Sequence, residues 1–135
     1  QFGKTKHPIE GGCYPMPNIQ LPHKHGQMIE KQIDHIPENS YFQAASDIFK
    51  LLSDNNRLQI FWLLCHCEEC VINISAIMEM SSPAVSHHLK TLKAGKLINS
   101  RRDGKEVYYK AADTNQSRLL HHIIEELVEI TCPIP

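Results

Sequence analysis

Residues 81–110 constrain the fold of this chain more than any other stretch. They begin Ser-Ser-Pro-Ala-Val-Ser-His-His-Leu-Lys, pass through a lysine-rich connector, and end in two short runs on either side of Asp103-Gly104. Asp-Gly between such runs is a strong hairpin-turn signal. Ser82 followed by Pro83 reads as a helix cap and first helical position, because proline lacks an N–H that the first turn leaves unpaired anyway. At about 100° per residue, Val85, Leu89 and Leu92 fall together and point inward. Ser86, His87, Lys90 and Thr91 spread over the opposite side, and His88 sits at the margin as a core-edge histidine. The turn is expected to set Arg102 opposite Lys105, an unfavourable like-charge pair unless an anion lies between them. Val107 and Tyr109 then face the domain, while Tyr108 and Lys110 face away.

The formal net charge of -1 hides a local asymmetry. Half of all Lys and Arg lie at Lys90, Lys93, Lys96, Arg101, Arg102, Lys105 and Lys110, and the sign reverses from Ala111 onward through Asp113, Glu125, Glu126 and Glu129. One basic face on a near-neutral chain fits a targeted contact with nucleic-acid phosphates, although a solvated lysine face has the same composition. No apolar run approaches a membrane span and no secretory leader pattern is present, so a soluble, cytoplasmic protein is expected.

Residues 1–26 hold four of the eight prolines and four of the six glycines and read as a flexible arm; 27–135 read as one domain. Helical spacing begins at Ile29, Ile33 and Ile36 and stops at Pro37. A second helix starts near Asn39 or Ser40, with Tyr41, Ala45, Ile48 and Leu52 on one face. Asp54 caps a third, central helix carrying Leu58, Ile60, Phe61, Leu63 and Leu64. A short fourth contains Ile74, Ile77 and Met78. The last segment repeats Leu120, Ile123, Ile124, Leu127 and Val128. That stripe packs either into its own core or, together with Ile29 and Ile33, into a two-fold dimer seam. The expected class is mainly α with a small β-hairpin wing: a winged helix-turn-helix of five to six helices, forming a homodimer.

On these residues the chain resembles the ArsR/SmtB family of metal-responsive repressors. The matching residues are Leu52-Ser-Asp-Asn-Asn-Arg57-Leu58, Cys70-Val71, Ala84-Val85-Ser86-His87-His88-Leu89 and Gly104 to Tyr109, within residues 52–113. The resemblance implies a homodimer that binds operator DNA and leaves it when an inducer binds. It also implies base contacts from Ser86 and His87 and phosphate contacts from Arg101, Arg102 and Lys105, beside Ser82, Lys90 and Thr91 on the same helix.

The resemblance also directs attention to Cys65, Cys67 and Cys70. Similar cadmium- and lead-responsive proteins carry Cys-Val-Cys-Asp where this chain has Cys70-Val71-Ile72-Asn73. Cys65 and Cys67 meet one ion only if the helix ends between them, and Cys13 in the arm or Cys132 would complete a set for Zn, Cd or Pb. Buried inert cysteines, or a thiol pair sensing oxidants or persulfides, are the competing accounts. The family's second site aligns with Asp113, Asn115, Glu126 and Glu129 and lacks both histidines. His122, Glu126 and Glu129 share a helix face, and His7, His23 and His25 have a ligand-like composition. A small zinc hydrolase is a remote further class, lacking any zinc-protease helix motif.

Overall fold

The computed structural model describes residues 21–23, 25 and 36–131. The expectations placed on Ile29, Ile33, Cys13, His7 and Cys132 lie outside the described residues, as does nearly all of the arm. Two compact units divide in sequence between Asp47 and Ile48. The described elements are α1 (Asn39–Leu51), α2 (Asn55–His66), β1 (Glu69–Cys70), α3 (Val71–Met78), α4 (Ser82–Ala94), β2 (Ile98–Asp103), β3 (Glu106–Ala111) and α5 (Asn115–Thr131).

α2 is central, as its apolar circumference requires. Ile60, Phe61 and Leu64 are buried and join Ile74, Val85, Leu89, Leu92, Leu97, Ile98, Leu120 and Ile124 in one core. The Asp54 carboxylate caps α2 by accepting from the Arg57 N–H at 3.0 Å, which satisfies an amide the first turn leaves unpaired. The Arg57 guanidinium returns to the Leu51 and Lys50 carbonyls, tying the end of α1 to the start of α2. α4 is capped one residue earlier than the sequence suggested: Ser81 Oγ accepts from Ala84 N–H at 3.3 Å, and Pro83 is the second helical residue. Either serine offers the same hydroxyl, so the pattern alone does not distinguish them. The Ser82 hydroxyl instead lies 3.3 Å from Ser75 Oγ, midway along α3.

α4 ends where Lys96 takes a left-handed φ of 62° and Leu97 N–H returns to the Leu92 carbonyl at 3.1 Å. Gly95 allows a close approach just before this point, because a Cβ there would fall 2.2 Å from Leu51 Cδ1.

The hairpin corrects a second expectation. Its register pairs Asp103 with Glu106 and Arg102 with Val107, so the turn residues are Gly104 and Lys105. Gly104 has φ 64° and Lys105 does not join it at positive φ, the pattern of a turn with glycine first. Arg102 and Lys105 are therefore not opposed, and electrostatic frustration between them does not explain the basic tip. The sheet has a third strand that the sequence did not signal: β1 pairs antiparallel with β3, Glu69 opposite Tyr109 and Cys70 opposite Tyr108. Tyr109 packs on the core as expected and Lys110 is exposed, while Tyr108 is half-buried rather than turned fully outward.

α5 starts at Thr114, whose hydroxyl accepts from Ser117 N–H, and the buried Ser117 hydroxyl donates to the Leu97 carbonyl at 3.0 Å. Leu120 and Ile124 are each 6% exposed within this chain's own core. That placement removes them as free seam residues; Ile123 is half-buried, and Leu127, Val128 and Ile130 remain exposed. Among the described residues no helix is long and apolar enough to cross a membrane.

Candidate nucleic-acid interface and metal-binding clusters

Leu89 and Leu92 on one side of α4 are buried to 1% and 0% exposure, which fixes the rotation of the helix. Ser82, Ser86, His87 and Lys90 are consequently exposed on the other side. Thr91 is half-buried, and its hydroxyl donates to the His87 carbonyl, so it braces the helix more than it faces outward. His88 is at the core margin, with Nε2 3.9 Å from Asp54 Oδ1 and a buried Nδ1 that has no hydrogen-bond partner among the described residues.

The wing's three basic residues are not equivalent. Arg101 donates to Glu68 Oε1 from Nε at 2.9 Å and from Nη2 at 2.5 Å, and its guanidinium lies over the Tyr108 ring at 4.9 Å. That hydrogen bond is the main reason the Glu68 carboxyl is held below the usual carboxylate range. Arg101 thus locks β2 to the segment before β1 and is largely committed within the chain. Arg102 and Lys105 are exposed, and among the described residues neither has an ion-pair partner. Lys93 reaches Ser100 Oγ at 2.6 Å, coupling α4 to the wing.

The three cysteines behave differently from one another. α2 ends at His66, as a site spanning Cys65 and Cys67 requires. Yet Cys65 is half-buried against the core, Cys67 caps α2 with its Sγ 3.4 Å from the Leu63 carbonyl, and Cys70, in strand β1, is 7% exposed. Burial, with Glu125 adding to it, pushes the Cys65 thiol up to about 12. Burial and then Glu69 also push Cys67 upward. Both shifts favour the protonated thiol in the metal-free chain.

One group of three ligand atoms does converge among the described residues, and no thiol belongs to it. His121 Nε2 lies 2.7 Å from Glu125 Oε1 and 3.0 Å from His66 Nε2, which is itself 3.3 Å from the same Glu125 oxygen. Trp62 packs on His66 with ring centroids 4.4 Å apart. His66 and His121 also line an open cavity of about 390 Å³ with Cys65, Lys110 and Arg118. The sequence signal was His121-x-x-x-Glu125, four apart on one helix face, next to a histidine closing α2. The neighbouring His122 and Glu126 are exposed and 4.0 Å apart on the solvent side of α5. His23 and His25 stack at 5.7 Å and join no such group among the described residues.

The family description of a bacterial regulatory protein, arsR family, matches residues 54–100, from the cap of α2 into β2. Over 114 residues the chain is 31% identical to the transcriptional repressor SmtB homolog of Synechocystis sp., covering 84% of this chain and 86% of that protein. The chain belongs to the arsR family. Its identity to the cadmium resistance transcriptional regulatory protein CadC of Listeria innocua is 46% over 67 residues, covering 49% of this chain and 56% of that protein. Among solved structures it is similar to a homodimeric winged helix-turn-helix DNA-binding domain from Mycobacterium bovis, a possible ArsR-family regulator. The TM-score is 0.61 at 30% identity, covering 67% of this chain and 84% of that one. This arsR-family chain is accordingly a DNA-binding transcriptional regulator of winged helix-turn-helix fold, and not an enzyme. The hydrolase alternative falls with that membership.

Proposed function

We propose that the protein is a dimeric repressor that lays α4 in the major groove, touches phosphates with the wing tip, and answers to a metal effector. The observation that carries the DNA contact is the exposed row Ser82, Ser86, His87 and Lys90, held by a fully buried opposite face, beside Arg102 and Lys105, which have no ion-pair partner among the described residues. Short polar groups and an imidazole read base edges, while flexible cations supply sequence-independent attraction. Arg101 is reassigned from phosphate contact to bracing the wing. For dimerisation the exposed end of α5 is the supporting feature: Leu127, Val128 and Ile130 are 56%, 54% and 73% exposed. The homodimeric relative supports the oligomer, and the cadmium-resistance name of the Listeria innocua relative supports the effector class.

Selection of duplexes from a random pool, followed by anisotropy titration at several salt concentrations, tests this reading. His87→Ala should cost about 1–3 kcal/mol of discrimination at one base position, whereas Lys105→Ala should weaken all sequences alike and reduce the salt slope by about one. Failure to enrich any sequence overturns it.

A further inference from the structure

His66, His121 and Glu125 come from two helices far apart in sequence, yet each aims one ligand atom at the same point. The three contacts form a closed triangle with edges of 2.7, 3.0 and 3.3 Å. Protons do not satisfy such a triangle. A ring nitrogen either carries a proton or offers a lone pair, never both. If both Nε2 atoms are protonated, each donates to Glu125, but two N–H groups then face each other across the His66–His121 edge. If only His121 Nε2 is protonated, an imidazole lone pair faces the carboxylate across the His66–Glu125 edge; if only His66 Nε2 is, the same clash falls on the His121–Glu125 edge. No tautomer assignment gives hydrogen bonds along all three edges.

A cation at the centre removes the conflict, because all three atoms then present lone pairs to it. Metal–ligand bonds of about 2.0–2.1 Å at tetrahedral angles set neighbouring ligand atoms about 3.3 Å apart. The His66–Glu125 edge already has that spacing, and the other two need to open by about 0.3 and 0.6 Å. The donors are two imidazoles and one carboxylate, the set that suits zinc and its neighbours rather than soft ions held by thiolates. Side-chain exposures of 43% for His66, 29% for His121 and 47% for Glu125 leave a path from solvent and room for a water as fourth ligand.

We propose that His66 Nε2, His121 Nε2 and Glu125 Oε1 form a nitrogen–oxygen site for a divalent cation of the zinc class, built within a single chain. The site deepens the metal-effector reading above and rests on it only for its regulatory meaning. It joins the end of α2 to the middle of α5, the helix whose exposed end is proposed as the dimer seam. Trp62, the chain's single tryptophan, stands beside His66 as a reporter.

Titrating the reduced, metal-free full chain with Co²⁺ tests the proposal by absorption spectroscopy. The expected result is one equivalent per chain, visible d–d bands, no thiolate-to-cobalt charge-transfer absorption, and a Trp62 fluorescence change tracking occupancy. His121→Ala and His66→Ala should each lower Co²⁺ and Zn²⁺ affinity at least tenfold with circular dichroism unchanged, while Cys65→Ser and Cys67→Ser leave the spectrum as it was. Thiolate charge transfer lost in Cys65→Ser or Cys67→Ser, or undiminished affinity in both histidine variants, overturns the site. Duplex binding by the same metal-free protein is scored separately. Its absence defeats the repressor reading and leaves the cobalt spectrum standing, whereas a thiolate spectrum defeats this site and leaves the repressor.

Discussion

Two groups of candidate ligand side chains meet near the end of α2, and they are built by opposite means. Cys65, Cys67 and Cys70 crowd into six residues of sequence but take separate places, at the core, at the helix cap and in strand β1. His66 and His121 are 55 residues apart, yet their ring nitrogens lie 3.0 Å from each other. Proximity in sequence does little to aim side chains at one point when a helix end and a strand intervene. Packing two helices does so without any local signature. Among the described residues the thiols thus occupy separate environments, while the histidine–carboxylate corner brings three ligand atoms together.

Reactivity should separate the two groups most sharply. With its thiol pushed from 9.0 to about 12, Cys65 holds about a thousandfold less thiolate near pH 8 than a free cysteine. Stronger intrinsic nucleophilicity recovers part of that, leaving native Cys65 alkylated roughly a hundredfold more slowly than in the unfolded chain. Mass-resolved iodoacetamide kinetics checks this; equal rates would put Cys65 back among the candidate ligands. The linkage has a definite sign. The folded thiol keeps a proton that the unfolded one releases above pH 9, so this stabilisation is complete below pH 9 and is lost as pH rises toward 12.

Stability should divide the groups next. Cys70 is 7% exposed, so Cys70→Ser buries a hydroxyl in place of a thiol and should cost about 1–3 kcal/mol in denaturant unfolding. His121→Ala acts at a largely wet corner and should stay within about 0.5–1 kcal/mol of the parent. The reverse order would mean that the triangle of ligand atoms is itself a folding element.

How much of this was legible in the sequence depended on the range of the cause. The rotation of α4 was legible, because Val85, Leu89 and Leu92 recur at the helical period and only one face can be buried. So was the cap at Asp54. The one-residue error at Ser81 arose where adjacent serines offer the same hydroxyl, and that at the turn arose because Gly104 suits either the second or the first turn position and the hairpin register chose the first. β1 left no trace: two residues are too few to alternate, and its partner β3 lies about forty positions on. The His121–Glu125 spacing was visible but equalled by that of His122–Glu126, and only the docking of α5 on α2 turns one pair toward His66. The basic wing showed its charge but not its division of labour, since Arg101 is engaged by Glu68, 33 residues upstream.

Coupling between the groups gives a smaller effect. Glu125 faces both, as a member of the ligand triangle and as the second cause, after burial, of the raised Cys65 thiol. Glu125→Gln removes the negative charge while keeping the size, so Cys65 should be alkylated a few times faster and not a hundredfold, because burial remains. The same variant should weaken Co²⁺ binding, through loss of an anionic ligand. Faster alkylation without weaker cobalt binding would assign Glu125 to the thiol alone.

The smallest change calibrates all the others, because it loosens α2 without touching either group. Asp54 caps the opposite end of the helix, and its carboxyl is held below its ordinary value first by the Arg57 amide it accepts from. Asp54→Ala should lower Tm by about a few degrees at neutral pH, with Co²⁺ affinity and Cys65 alkylation moving together, if at all. The sign in acid follows from the depressed pKa. The cap's contribution is complete above the unfolded value of 3.8 and disappears as pH falls through the lower folded value, so parent and variant should converge there. If weakening the helix start shifts cobalt binding but not thiol reactivity, the histidine corner depends on how α2 lies against α5, and the cysteines do not.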